Sequence, residues 1–168
     1  MNFEIVYLSK TGNTRKVAQA LANALPAGSC RLVDFAHEEP SENADVYFIG
    51  FGVQRGACPY RLLEWLEELH GKKIMLFATG GLAAFQDYHK RIESIILPFL
   101  PEACEYLGMY LCEGKISQEG YAYLMSCLSN PDDSSSKQNL DKIYEHSQSH
   151  PDQQDLENAC HFLRSVLS

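Results

Sequence analysis

Short, nearly unbroken apolar runs alternate along this chain with longer stretches whose apolar residues recur at helical spacing. The run Phe3-Glu4-Ile5-Val6-Tyr7-Leu8 is β-rich and bounded by turn residues, which predicts a buried strand. After it Val17, Ala18, Leu21, Ala22 and Leu25 recur every three or four positions until Pro26 and Gly28 stop the pattern. The same reading gives strands over Cys30–Asp34, Asp45–Phe51, Lys73–Thr79 and Tyr106–Leu111. Between them fall a helical face made by Leu62, Leu63, Trp65, Leu66 and Leu69, ending at Gly71, and a helix over about Phe85 to Leu97. Strands apolar on both faces that alternate with amphipathic helices predict an α/β fold, a parallel sheet covered on both sides. Its crossovers should be right-handed.

The stretch from Glu113 to Pro151 is longer than a simple strand-to-helix connection. Its centre, Asn130-Pro131-Asp132-Asp133-Ser134-Ser135-Ser136, is a polar, turn-rich break. The flanks at about Gln118–Leu128 and Lys137–His146 read as short helices, because a structureless loop of this length is unusual in a compact domain. A helical insertion at about 113–151 is therefore expected within one domain spanning 1–168. Leu156, Ala159, Cys160, Leu163 and Val166-Leu167 then mark a closing amphipathic helix.

Composition narrows the class. The 168 residues are 45% hydrophobic, enough for a sizeable core. No run of about 18 apolar residues predicts a membrane span, and the first strand starts too early for a signal peptide, so a cytoplasmic location is expected. The formal net charge of −8 argues against general nucleic-acid binding, which needs a basic surface. Glu38, Glu39, Glu42, Asp45, Glu64, Glu67 and Glu68 supply part of that charge and suit either a solvated surface or docking on a basic partner. The six cysteines are scattered without a Cys-x-x-Cys pair, which predicts free, mostly packed thiols. Cys58 follows a Gly-containing loop and is the one candidate for an exposed, redox-active thiol. His146, His150 and His161 are too irregularly spaced to mark a metal site.

The chemistry concentrates in Ser9-Lys10-Thr11-Gly12-Asn13-Thr14, between the first strand and the first helix. Three hydroxyls, a Gly that permits a tight turn and an Asn precede a helix whose positive end faces the loop. Such a loop either binds a phosphate through backbone amides or simply caps the helix. A nucleoside-triphosphate P-loop does not fit, since its Gly-Lys-Ser/Thr ending is absent. The six residues resemble the phosphate loop of flavodoxins, Thr/Ser-x-Thr-Gly-Asn-Thr directly after the first strand. Ser9, Thr11, Gly12, Asn13 and Thr14 match, and Lys10 takes the variable place. The resemblance extends over Met1–Cys112 and resumes at Asp152–Leu167. It is to the small, anaerobe-type members, and implies a doubly wound five-stranded parallel sheet of order 2-1-3-4-5 with helices on both faces. FMN then binds beyond the carboxyl ends of the strands, where the strand order reverses; flavodoxin is the standard example of that rule.

Two more loops leave the relevant strand ends. Gly52-Val53-Gln54-Arg55-Gly56-Ala57-Cys58-Pro59 resembles the segment lining the flavin ring, with Val53, Gln54, Arg55 and Gly56 as candidate contacts. Gly56 either presents its peptide to the ring or forms an ordinary turn. Many relatives carry a stacking aromatic in this loop; here Val53 and Gln54 stand in that neighbourhood. The third loop, Thr79 to Tyr88, corresponds to the segment covering the other side of the ring. Thr79, Gly80 and Gly81 are candidate contacts, and Phe85 and Tyr88 serve either as stacking surfaces or as core.

No hydrolytic constellation is present. The Gly-x-Ser-x-Gly elbow is missing. Glu67-Glu68 and Asp132-Asp133 are sequence neighbours that point apart on a helix. The chemistry would belong to the cofactor. The resemblance implies an electron-transfer flavoprotein, more an electron carrier than a stand-alone oxidoreductase. Its partner would be a reductase or an iron–sulfur or flavin enzyme, not nucleic acid or membrane. Two alternatives stay open: an NAD(P)H-dependent FMN or quinone reductase, and a degenerate flavodoxin-like binding module without FMN.

Overall fold

The computed structural model describes residues 1–168, and all five apolar runs are strands in it: β1 Phe3–Leu8, β2 Cys30–Asp34, β3 Val46–Gly52, β4 Lys73–Gly80 and β5 Glu105–Glu113. They form one parallel sheet in the order β2-β1-β3-β4-β5, so the reversal point lies between β1 and β3. The helices are α1 Asn13–Ala24, α2 Tyr60–Leu66, α3 Tyr88–Ile96, α4 Gln118–Ser126, α5 Ser134–Ser147 and α6 Gln153–Leu167. The chain is α/β with the doubly wound, flavodoxin-like arrangement.

Alternation within each strand divides the core between the two faces. Ile5, Tyr7, Phe48, Met75 and Phe77 meet Val17, Ala18 and Leu21 of α1 and Ala159 and Leu163 of α6. Val6, Tyr47, Ile49, Leu76 and Ala78 meet Leu62, Leu63 and Leu66 of α2 and Ile92 and Ile96 of α3. Each Val, Leu, Ile, Phe or Met among them, when fully buried, contributes about 1.5–3 kcal/mol. At the centre the packing admits no extra atom: a Cβ on Gly50 would lie 2.1 Å from the Phe77 ring.

One expectation about local structure needs correction. The third helix begins at Tyr88 rather than Phe85, because Asp87 adopts φ 64° and the residues before it form successive turns. It ends at Ile96, where Pro98 allows only a short 3-10 turn over Leu97–Phe99. Strand β5 also carries a bulge: Ile74 pairs with Tyr106 and Met75 with Gly108, leaving Leu107 without an opposite residue.

Polar residues start each of the last three helices. Ser117 accepts from the Gly120 amide, Asp133 accepts from Ser135, and Asp152 with Asp155 makes a reciprocal capping box. At α1, by contrast, the N-cap residue is Gly12, which has no side chain to accept a bond. No helix of the chain is long and apolar enough to cross a membrane.

Candidate functional site

The loops after β1, β3 and β4 converge, and buried hydroxyls hold them together. Thr14 Oγ1 lies 2.9 Å from Thr79 Oγ1, both residues being buried, and Gly52 passes so close that a Cβ there would sit 3.5 Å from Thr14 Oγ1. The start of α1 and the ends of β3 and β4 thus meet at a single point beside the strand-order reversal.

Within the first loop, Ser9 Oγ accepts from the amides of Gly12 (3.1 Å) and Arg15 (3.2 Å), which curls the chain ahead of α1. Gly12 adopts φ 91°, a left-handed conformation that favours glycine, and nothing crowds its missing Cβ. The side chain of Asn13 donates to the Lys115 carbonyl at 2.9 Å, and exposed Lys10 pairs with Glu119 of α4 at 3.3 Å. The segment after β5 therefore braces the loop from outside. What remains free are the backbone N–H groups of Asn13 and Thr14, which have no acceptor in the chain, and the exposed hydroxyl of Thr11. Unpaired amides at the positive end of a 12-residue helix form an anion cradle. These residues fit a phosphate.

The second loop is a tight hairpin. Gln54 and Ala57 exchange two backbone hydrogen bonds (3.0 and 2.9 Å), and Arg55 and Gly56 between them have φ 50° and 75°. Positive φ at both central positions marks a primed turn, for which an Arg is an unusual first residue. Arg55 is held there with its guanidinium 5.1 Å from the centre of the Tyr123 ring on α4. Val53 is half-buried and Gln54 exposed. A Cβ on Gly80 would touch both Val53 (3.4 Å) and Tyr88 (3.5 Å), so the second and third loops meet across a glycine. Gly81 is required for another reason: a Cβ there would collide with Ile116 at 2.3 Å. Neither Gly80 nor Gly81 has a positive φ, so both serve close packing rather than turn geometry. Phe85 is 52% exposed at the rim, whereas Tyr88 is half-buried with its hydroxyl pushed up by burial.

One reading from sequence changes here. Cys58 is buried, and burial pushes its thiol up to about 12, so it is not an exposed redox thiol. The acidic residues that precede and follow the second loop in sequence do not all surround the site. Asp45 lies against Asn2 and Glu42 beside Lys72, at the amino ends of the strands, and Glu67 and Glu68 follow the far end of α2. His161 is exposed, but His146 and His150 meet each other and Glu113 beside a cleft of about 300 Å³ that also borders Gly81 and Phe85. The signal available in sequence was the four-residue spacing of the two histidines, with no hint of Glu113.

Comparison with known proteins agrees with this geometry. A family model described as a flavodoxin domain matches residues 4–164. A flavodoxin-like domain-containing protein, BilS, of Clostridioides difficile (strain CD3) is 33% identical over 169 residues, covering 97% of this chain and 94% of its own. A flavodoxin of Streptococcus pneumoniae TIGR4 has a similar fold, with 16% identity, 99% and 98% coverage of the two chains and a TM-score of 0.62. So does a flavoprotein in complex with FMN from Lactobacillus acidophilus NCFM, with 16% identity, 66% and 92% coverage and a TM-score of 0.51. With the family model spanning nearly the whole sheet and the glycine loop standing where its strand order reverses, the chain belongs to the flavodoxin family.

Proposed function

We propose that this chain binds FMN across its three converging loops and carries electrons to or from a partner redox protein in the cytoplasm. The observation that carries the reading is the pair of acceptor-free amides, Asn13 and Thr14, at the start of α1, where the N-cap residue Gly12 has no side chain to offer. At α4, α5 and α6 the N-cap side chains of Ser117, Asp133 and Asp152 accept from such amides, whereas Gly12 has no side chain to do so. A phosphate at α1 would take the same amides and gain from the helix dipole without a cationic side chain. FMN complexed by a protein of similar fold supports the same choice of ligand.

Bound FMN supplies one- and two-electron redox chemistry. The residues of the chain would do the rest. Thr11, with the amides around Gly12, would bind the phosphate, and Ser9 would keep the loop in shape. Val53, Phe85 and Tyr88 would offer apolar surface to the ring and exclude water from part of it. The Arg55-Gly56 turn would supply a backbone hydrogen bond to the ring edge, Gly56 letting the backbone approach closely.

Titration of flavin-free protein with FMN and with riboflavin, followed by quenching of flavin fluorescence, tests the reading. FMN should bind far more tightly than riboflavin, since only FMN carries the phosphate. Equal affinities would remove the phosphate loop from the site.

A further inference from the structure

We propose that Glu113, His146 and His150 form a binding site for a divalent transition ion of the zinc type. The three residues come from separate places: the last residue of β5, the final turn of α5, and the connection between α5 and α6. Their ligand atoms nevertheless lie within 4.8 Å of one another. Nε2 of His146 is 3.3 Å from one Glu113 oxygen and Nε2 of His150 is 3.7 Å from the other. Donors around a tetrahedral zinc are separated by roughly 3.3 Å, as bond lengths near 2.0–2.1 Å require, so small side-chain movements complete the set.

The second observation is the support behind His150. Its Nδ1 is 2.6 Å from Asp155 Oδ2, an oxygen that also accepts the Asp152 amide at 2.8 Å in the α6 capping box. That carboxylate is fixed as an acceptor, so Nδ1 donates to it. In the neutral ring, Nε2 then presents its lone pair toward Glu113. A carboxylate behind a histidine whose other nitrogen faces a second carboxylate is the usual orientation of a metal-ligating imidazole. Glu113, Asp152 and Asp155 supply the negative charge that draws a cation in. The side chain of His150 is only 11% exposed and that of Glu113 19%, while His146 is 64% exposed and joins the trio from the solvent side. Beside it the cleft lined by Lys142 and Ile143 leaves room for a water in the fourth position. Two nitrogens and one carboxylate oxygen with an open place suit zinc or a neighbouring first-row ion rather than calcium or magnesium, which favour all-oxygen sets. Bound there, the ion would tie α5 and the α5–α6 connection to the end of β5.

Untagged, chelator-treated full-length protein is titrated with Zn²⁺ by calorimetry and by thermal melting. One ion per chain should bind and raise Tm, because a ligand held only by the folded state stabilises it. His146→Ala, at an exposed position that leaves the fold intact, should weaken binding at least about 100-fold, and Asp155→Asn about 10–100-fold. All thiols remain in these variants, so zinc held by cysteine would be unaffected by them. Co²⁺ in place of Zn²⁺ should give visible absorption that His146→Ala abolishes. FMN affinity of His146→Ala should equal that of the wild type, which separates this site from the flavin loops. Equal Zn²⁺ binding by wild type and His146→Ala, or none by either, would overturn the proposal and leave the trio as ion pairs.

Discussion

Thr14 Oγ1 and Thr79 Oγ1 stand 2.9 Å apart in a buried contact that joins the start of α1 to the end of β4. One of the two hydroxyls donates to the other. If Thr79 donates, the proton of Thr14 is left for a phosphate, so the pair links loop position to ligand binding.

Thr14→Val and Thr79→Val each strand a buried hydroxyl, and each should lower stability by about 1–3 kcal/mol. The double variant removes both partners and should lose less than the sum of the singles, measured by denaturant midpoints. FMN binding should separate the two residues. Thr14→Val and the double variant should bind FMN more weakly, by about 1–3 kcal/mol for a charge-assisted bond, with riboflavin hardly changed. An unchanged FMN affinity in Thr14→Val would restrict its hydroxyl to holding the loop.

Gly50→Ala places a methyl within 2.1–2.8 Å of three Phe77 ring atoms, inside the middle of the sheet. Overpacking of this kind costs about 1–3 kcal/mol, occasionally more. A lowered urea midpoint with an unchanged m-value is expected, and Phe77→Leu added to Gly50→Ala should recover part of the loss.

The Cys58 thiol, pushed up to about 12 by burial, should be inert at pH 8, where only about one molecule in 10⁴ would carry the thiolate. Iodoacetamide labelling of folded protein followed by peptide mapping should modify exposed Cys127 first and leave Cys58 intact. The sign of the linked stability follows. The unfolded thiol ionises near pH 8.5 and the folded one near 12, so above pH 8.5 the unfolded state releases a proton that the folded state keeps. Stability is fully present below pH 8.5 and falls as pH rises toward 12, by about 1.4 kcal/mol per pH unit for this thiol. Cys58→Ala should flatten the stability profile between pH 9 and 11 relative to wild type, whatever its stability at pH 7.

An electron carrier with net charge −8 should be reduced slowly by NADPH alone and quickly by a basic flavoprotein or iron–sulfur reductase. Stopped-flow reduction across a salt series should show the partner-dependent rate falling with ionic strength, since at about 0.15 M salt fields fade within roughly 8 Å. Because Glu42 and Asp45 lie at the opposite end of the sheet from the loops, neutralising them should change the rate little. Fast reduction by NADPH without a partner, independent of salt, would favour a reductase instead.

What the sequence determined by itself was whatever local pattern controls. The strands announced themselves because a strand buried on both faces must be apolar throughout, and α1 because its inward face must repeat every three to four residues. The loop between β1 and α1 was legible for the same reason: its strand, glycine and helix are contiguous, and Gly12 does adopt the left-handed conformation such a turn needs. Tertiary structure decided everything that depends on a partner far along the chain. Thr14 meets Thr79 and Asn13 meets Lys115 because β1, β4 and the segment after β5 end together. Cys58 is buried because α2 and the sheet close over it, although its neighbours in sequence belong to a loop. Glu113 reaches His150 only because α5 folds back against the end of β5 and Asp155 holds the ring. Periodicity records which face of an element is buried; it does not record which residue from another element will stand against it.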